Sequence, residues 1–290
     1  AKINLALHVT GRRDDGYHLL DSVVVHGGAA DRVGARLDGP ATAGEPRVGL
    51  AIEGPFAAGL EGDGDNLVLR AARLLAAEAA RAGRAVADVM LRLDKRLPIA
   101  SGIGGGSADA AATLRLLDRL WGLGLGLGRL AELALPLGAD VPMCLWGEPL
   151  RARGIGEAIE RLPPLPAFRL VLINPGVAVA TPAVFRSLAC RDNPPLPTMP
   201  ARFDDLDHLV DWLAASRNDL QAAAIALAPT IGAVLARLSA MPGCRLARMS
   251  GSGATCFGIF AAEAAETPAG LDDLPAGWWA AGPTVVGGAG

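Results

Sequence analysis

The residues best suited to chemistry lie in Pro98-Ile99-Ala100-Ser101-Gly102-Ile103-Gly104-Gly105-Gly106-Ser107. Glycine lets backbone N–H groups turn inward and approach an anion with no Cβ in the way. The sequence turns helical at Ala108, and the free N–H groups and dipole of a helix start favour phosphate at the same place. Lys95 and Arg96, just upstream, are candidate counter-charges. A plain linker between strand and helix would not need three adjacent glycines and a serine at a helix start. The segment is not a Walker A loop, because no Gly-Lys-Ser/Thr closes it. Nor is it a dinucleotide fingerprint, since the third glycine of G-x-G-x-x-G is missing and no suitable acid follows about 20 residues later.

Three weaker signals accompany it. In Leu137-Gly138-Ala139-Asp140-Val141-Pro142, Asp140 is held between a glycine and a proline and is a candidate base; alone it would be read as a turn or cap residue. Met249-Ser250-Gly251-Ser252-Gly253-Ala254 is a second small-residue turn, which alone fits any hairpin. Gly16-Tyr17-His18 offers an imidazole that alone would pass for a hydrogen-bonded surface residue.

The elements that must position these residues are partly legible. Ile3, Leu5, Leu7 and Val9 alternate with Lys2, Asn4 and His8, the period-two mark of a half-buried strand that sets Lys2 and Asn4 on one face. Gly11 to Gly16 reads as a polar turn, with β character resuming over Ser22 to His26. Further strands are expected near Arg32–Leu37, Arg47–Ile52 and Val89–Leu93. Asn66 is placed to cap a helix over Leu67 to Ala82. Another helix is expected from Ala108 to Trp121, with Leu114, Leu117 and Trp121 on one face. The Gly-Leu repeat from Gly122 to Gly128 reads as a joint, and Gly138 to Pro142 as a helix-free segment. Pro163, Pro164 and Pro166 mark an expected boundary between halves. Beyond it come a strand over Phe168 to Ile173 and helices from Pro182, Asp205, Asn218 and Pro229. Strands at Arg245–Met249 and Thr255–Phe260 flank the Ser250–Gly253 turn, and the tail after Ala261 has no clear pattern. Short strands and helices on separate stretches point to an α+β class.

Composition excludes several roles. At 290 residues the chain can bury a sizeable core, and with 51 % apolar but only 4 % aromatic residues, Ala, Leu and Val must build it. A net charge of −3 supplies no field for nucleic acid or an acidic membrane. The longest uncharged stretch, Leu220 to Ala236, contains Pro229 and is too short to span a bilayer comfortably. Cys144, Cys190, Cys244 and Cys256 form no C-x-x-C pair, so neither a zinc site nor a disulfide framework is indicated, and a cytoplasmic location is expected.

Taken together and in this order, the four signals resemble the GHMP kinases, named for galactokinase, homoserine kinase, mevalonate kinase and phosphomevalonate kinase. The resemblance spans nearly the whole chain. Its specific pieces are Ala1-Lys2-Ile3-Asn4-Leu5, Gly11-Arg12-Arg13-Asp14-Asp15-Gly16-Tyr17-His18, Asp65-Asn66-Leu67, Asp94-Lys95-Arg96-Leu97-Pro98, the Asp140 segment and Asn174-Pro175-Gly176. The Gly11–His18 segment resembles a branch of the family that phosphorylates the cytidine diphosphate derivative of methylerythritol in non-mevalonate isoprenoid biosynthesis. Another GHMP small-molecule kinase, such as a homoserine kinase, is the alternative.

The resemblance implies two α+β domains, residues 1–160 similar to the second domain of ribosomal protein S5 and residues 161–290 ferredoxin-like, with the active site in the cleft between them. It implies ATP as donor, with magnesium arriving on the nucleotide and no metal ligand assigned on the protein. Asp140 would take the hydroxyl proton, with Lys2 beside it. Asn66, Lys95, Ser101, Gly102, Ile103, Gly104, Gly105, Gly106, Ser107 and Asp109 would line the ATP site. Asn4 and Thr181 would hold the sugar-alcohol part, and Tyr17, His18 and Phe185 the cytosine ring. The implied protein is a monomer or homodimer whose partner is a small-molecule substrate, with no nucleic acid and no membrane. Many relatives have glycine where this chain has Ala100 and Ser101; if either position needs a positive φ, the first half of the loop must take another path here.

Overall fold

A strand buried on both faces must find partners for its polar side chains within the protein, and β1 (Lys2–Arg12) is such a strand. In the computed structural model, which describes residues 1–27, 29–42, 44–60, 65–263 and 270–288, every residue from Lys2 to Val9 is buried. The half-buried strand expected from the alternation is therefore buried on both faces. Its polar face is tolerated because Lys2, Asn4 and His8 all find hydrogen-bond partners. The register against β2 (His18–His26) also shifts between Asn4 and Ala6, a bulge that interrupts strict alternation. β1 runs on to Arg12 and β2 begins at His18, so the polar turn is shorter than expected.

The chain folds into two compact units that interleave in sequence. The first comprises Ala1–Ala29, Ala100–Gly104 and Glu148–Gly290, and the second Ala30–Ile99 and Gly105–Gly147. Pro163, Pro164 and Pro166 lie within the first.

The first unit holds two four-stranded sheets. One has the order β1-β2-β6-β7, with β6 at Leu150–Gly154 and β7 at Ala158–Arg161. The other has the order β11-β8-β10-β9, with β8 (Phe168–Asn174) inside it, β9 at Leu246–Met249, β10 at Cys256–Ala261 and β11 at Trp279–Val286. β11 gives structure to the patternless tail, of which residues 264–269 lie outside the described range. Helices α5 (Thr181–Arg186), α6 (Leu206–Ala214), α7 (Gln221–Leu227) and α8 (Thr230–Ala240) complete the unit. Asp205 caps α6 by accepting from the His208 N–H at 2.8 Å. Val171, Ile173, Val184, Ile231, Val234, Leu238 and Phe260 share its core with Leu7 and Val9 of β1.

The second unit packs α1 (Leu67–Arg81), α2 (Gly105–Leu120), α3 (Gly126–Ala134) and α4 (Asp140–Trp146) with a sheet of order β3-β5-β4. These strands are β3 (Arg32–Thr42), β4 (Val48–Glu53) and β5 (Val86–Asp94). Alternate residues Val89, Leu91 and Leu93 of β5 point inward, against Ala72 and Leu75 of α1 and Ala110, Leu114 and Leu117 of α2. The Asn66 side chain accepts from the Val68 N–H at 3.0 Å, a cap typically worth about 1 kcal/mol.

Three expectations need correction here. α2 starts at Gly105, before Ala108, because the helix can recruit small residues at a start where N–H groups are unsatisfied in any case. The Gly122–Gly128 joint ends early, with α3 beginning at Gly126. The segment around Gly138 to Pro142 is not helix-free: α4 begins at Asp140, and Pro142 fits its first turn, where a missing N–H costs nothing.

Candidate active site

In the first unit, the side of β1 that carries Lys2 and Asn4 meets the first half of the glycine segment. The Lys2 N–H donates to the Ile103 carbonyl at 3.0 Å, and a Cβ on Gly104 would stand 2.7 Å from Lys2 Cγ. Gly104, at φ +60°, thus leaves room for the lysine stem. Lys2 Nζ donates to Asn4 Oδ1 at 3.0 Å, and both side chains are buried.

The Ser250–Gly253 turn clasps this loop. Ser250 Oγ accepts the Asn4 N–H at 3.0 Å and donates to the Gly102 carbonyl at 3.2 Å, while the Thr255 N–H donates to the Ser101 carbonyl at 3.1 Å. A Cβ on Gly102 would come within 2.6 Å of the Ser250 and Gly253 carbonyls, so this glycine serves backbone packing as well as any anion. Asn218 holds the turn from behind, donating to the carbonyls of Met249 at 2.7 Å and Gly251 at 2.9 Å. Thr181 and Ser252 pair their hydroxyls at 2.7 Å. Ala100 has φ +49°, so the loop keeps a left-handed residue at a position filled by alanine; Ser101 does not share it.

Farther along the same sheet, His18 stacks on Phe185 with ring centroids 4.6 Å apart and planes inclined by 23°. Burial, then the charges of Arg12 and Arg191, push the imidazole below its ordinary range, which favours the neutral ring. Its Nε2 is buried with no hydrogen-bond partner among the described residues. Tyr17 is 60 % exposed, its ring standing in solvent.

In the second unit, Lys95 is locked between two carboxylates. Its Nζ lies 2.5 Å from Asp31 Oδ2 and 2.9 Å from Asp109 Oδ2, with all three side chains buried. Asp31 Oδ1 also accepts the N–H groups of Arg96 at 2.5 Å and Leu97 at 2.8 Å. A Cβ on Gly105 would stand 3.1 Å from Lys95 Nζ, so the trio sits against the first turn of α2. Burial and the neighbouring Asp31 push the Asp109 carboxyl up to about 6, against the pull of the Lys95 ammonium. Arg96 pairs with Asp94 at 2.7 Å, on the exposed side. Asn66 stands at the start of α1, whose Leu67 lies 3.4 Å from where a Gly106 Cβ would be, and Ser107 follows in the first turn of α2. Asp140 is the first residue of α4, half-buried, where a helix start favours an acid.

The structure thus groups Lys2, Asn4 and Ser101–Gly104 in one network, His18 with Phe185 in a second, and Lys95 with Asp109 in a third. Asp31 and Ser22 belong to these networks and were not singled out from sequence. Asp31 is 64 residues from Lys95, and only an acid at the head of a strand hints at it. Ser22 has no sequence signal beyond its place in a valine-rich strand. Among the described residues no group of three or more His, Cys, Asp or Glu side chains could hold a metal ion, and no helix is long and apolar enough to cross a membrane.

Comparison with known proteins places this geometry in a family. Residues 66–148 match the GHMP kinases N terminal domain and residues 201–269 the GHMP kinases C terminal domain. The chain is 53 % identical over 290 residues to a 4-diphosphocytidyl-2-C-methyl-D-erythritol kinase of Cereibacter sphaeroides, covering 99 % of this chain and 98 % of the relative. It is 53 % identical over 287 residues to the enzyme of that name from Gluconacetobacter diazotrophicus, covering 96 % and 91 %. A crystal structure of 4-(cytidine 5'-diphospho)-2C-methyl-D-erythritol kinase superposes with a TM-score of 0.72 at 33 % identity, over 100 % of this chain and 98 % of that one. A homoserine kinase from Cytophaga hutchinsonii, at TM-score 0.62 and 19 % identity over 91 % and 84 %, shares the fold. Likeness of this extent, from end to end, shows that the chain belongs to the GHMP kinases, enzymes that take the phosphoryl group from ATP, and has their two-domain α+β fold.

Proposed function

We propose that this kinase transfers the terminal phosphoryl group of ATP to the 2-hydroxyl of 4-diphosphocytidyl-2-C-methyl-D-erythritol, in the non-mevalonate route to isoprenoid precursors. The observation that carries the reading is the 53 % identity, over almost the full length, to enzymes named for that substrate.

In this reading residues 1–160 form the ATP-binding domain and residues 161–290 the C-terminal domain, and one family match falls in each. The ATP phosphates lie along Ser101–Ser107, with Asn66, Lys95 and Asp109 lining the nucleotide site. Glycines at 104 to 106 and the start of α2 supply backbone N–H donors that carry no Cβ of their own. The Lys95 ammonium contributes by fixing the loop from beneath, since both Asp31 and Asp109 hold it. Those two carboxylates are thereby engaged, so a magnesium ion fits best as a companion of the ATP phosphates, which such ions usually bind together with water.

Asp140 accepts the proton of the substrate hydroxyl. Lys2 stabilises negative charge as it develops on that oxygen, and Asn4 orients both Lys2 and the sugar alcohol, with Thr181 assisting. Positioning and electrostatics supply most of the acceleration in such a transfer, and no covalent enzyme intermediate is required. At the other end of the substrate, Tyr17 and Phe185 cover the cytosine ring and His18 bonds its edge. A neutral imidazole with an unpartnered Nε2 suits that task. The protein works in the cytoplasm as a monomer or homodimer, without nucleic-acid or membrane partners.

The test is ATP consumption against a panel containing the cytidyl substrate, its uridyl analogue and homoserine. Uracil presents an acceptor and a donor where cytosine presents a donor and an acceptor. Two mismatched buried hydrogen bonds should lower kcat/KM at least about a hundredfold. Equal efficiency on both nucleotides, or turnover of homoserine alone, would overturn the substrate.

A further inference from the structure

Hydrogen-bond direction along β1 and β2 fixes how Asn4 must point. The Ala6 carbonyl can only accept, and Ser22 Oγ lies 2.7 Å from it, so the single hydroxyl proton of Ser22 goes there. Ser22 can then only accept from Asn4, whose Nδ2 is 2.8 Å away. With its NH2 turned to Ser22, Asn4 presents Oδ1 to the Lys2 ammonium at 3.0 Å. All three side chains are buried, with residue exposures of 5 % for Lys2, 3 % for Asn4 and 3 % for Ser22, so solvent offers no alternative partner. The bulge after Asn4 is what lets the Asn4 amide and the Ala6 carbonyl both reach one hydroxyl on the facing strand.

We infer that Ser22 is a positioning residue for the phosphoryl transfer, acting through the Asn4 amide on the Lys2 ammonium. A flipped amide would aim N–H donors at another donor, pushing the ammonium from its place. Ser22 removes that state without touching the reactants. The inference rests on the role proposed above for Lys2.

The experiment measures kcat and both KM values for Ser22→Ala, Ser22→Cys and Ser22→Thr, with melting temperatures. Losing one buried hydrogen bond predicts a three- to tenfold fall in kcat for Ser22→Ala, about that for Ser22→Cys, and an unchanged KM for ATP. Ser22→Thr, which keeps the hydroxyl, should return to within about twofold of wild type. In an Asn4→Ala background Ser22→Ala should have no further effect, because the relay is already cut. Full activity in both Ser22→Ala and Ser22→Cys overturns the inference, as does the same fold-loss in the Asn4→Ala background. Should Ser22→Ala fail to fold, the nearly isosteric Ser22→Cys decides alone. A Lys2→Ala variant with normal turnover would overturn the role of Lys2 and this inference with it. Inactive Lys2→Ala beside normal Ser22→Ala and Ser22→Cys would overturn only the part played by Ser22.

Discussion

Two buried lysines, one in each unit, are oriented by different kinds of partner. Lys95 donates to two carboxylates and sits in a trio of charges against the first turn of α2. Lys2 donates to a neutral amide that is oriented in turn by Ser22, with Ser250 holding the Asn4 backbone. The Asn4 amide sets the direction of the Lys2 ammonium, whereas Lys95 is gripped by two acidic side chains at once. The first arrangement builds structure beneath a loop; the second keeps a cation aimed. Stability should therefore depend on Lys95 and turnover on Lys2.

The largest expected effects break the comparison if they fall in the wrong column. Asp140→Asn should lower turnover by 10²–10⁴, the usual cost of losing a positioned general base, with little change in melting temperature. Turnover within a few-fold of wild type would remove Asp140 from the chemistry. At the other lysine, Lys95→Met leaves two carboxylates buried together without their cation, and removing one partner of a buried pair costs about 3–5 kcal/mol. Urea denaturation should show that loss at neutral pH; a midpoint equal to wild type would mean that the trio carries no stability.

A pH series sharpens the same contrast. The folded state holds the Asp109 proton up to about 6, whereas an unfolded carboxyl releases it near 4. Between those values the native form binds more protons, so raising the pH through this window destabilises it relative to a variant without the group. Asp109→Asn should thus gain on wild type in calorimetric melting temperature as pH rises from 4 to 6, and hold its advantage above. A difference that does not change with pH would show that Asp109 titrates alike in both states.

The smallest effect concerns Ala100, in the left-handed region at φ +49°. Glycine there relieves strain of roughly 1–2 kcal/mol, but its looser unfolded chain takes back about 0.5–1. Ala100→Gly should gain at most about 1.5 kcal/mol in denaturation, and an outright loss would show that the turn holds no strain at this position.

Much of this molecule follows from local pattern. Val89, Leu91 and Leu93 alternate, Asn66 stands ahead of an amphipathic stretch, and Gly102 and Gly104 precede a helix; each acts over a few residues, so each could be read from spacing. The start of α4 at Asp140 could not, because Gly138 and Pro142 mark a turn and a helix start equally well, and only packing of Val141 and Leu145 into the core chooses. The pairing of Asp31 with Lys95 was hidden for a different reason. A buried cation needs some acid, but chain closure over 64 residues decides which one. Sequence by itself determined the chemistry on offer: a glycine-rich helix start, an acid at 140, and Lys2 and Asn4 two apart on a strand. Tertiary structure alone decided that Ser22, Ser250 and Asp31 would be the groups that aim them, because a hydrogen bond specifies its partner by distance and direction, and neither is written in the order of residues.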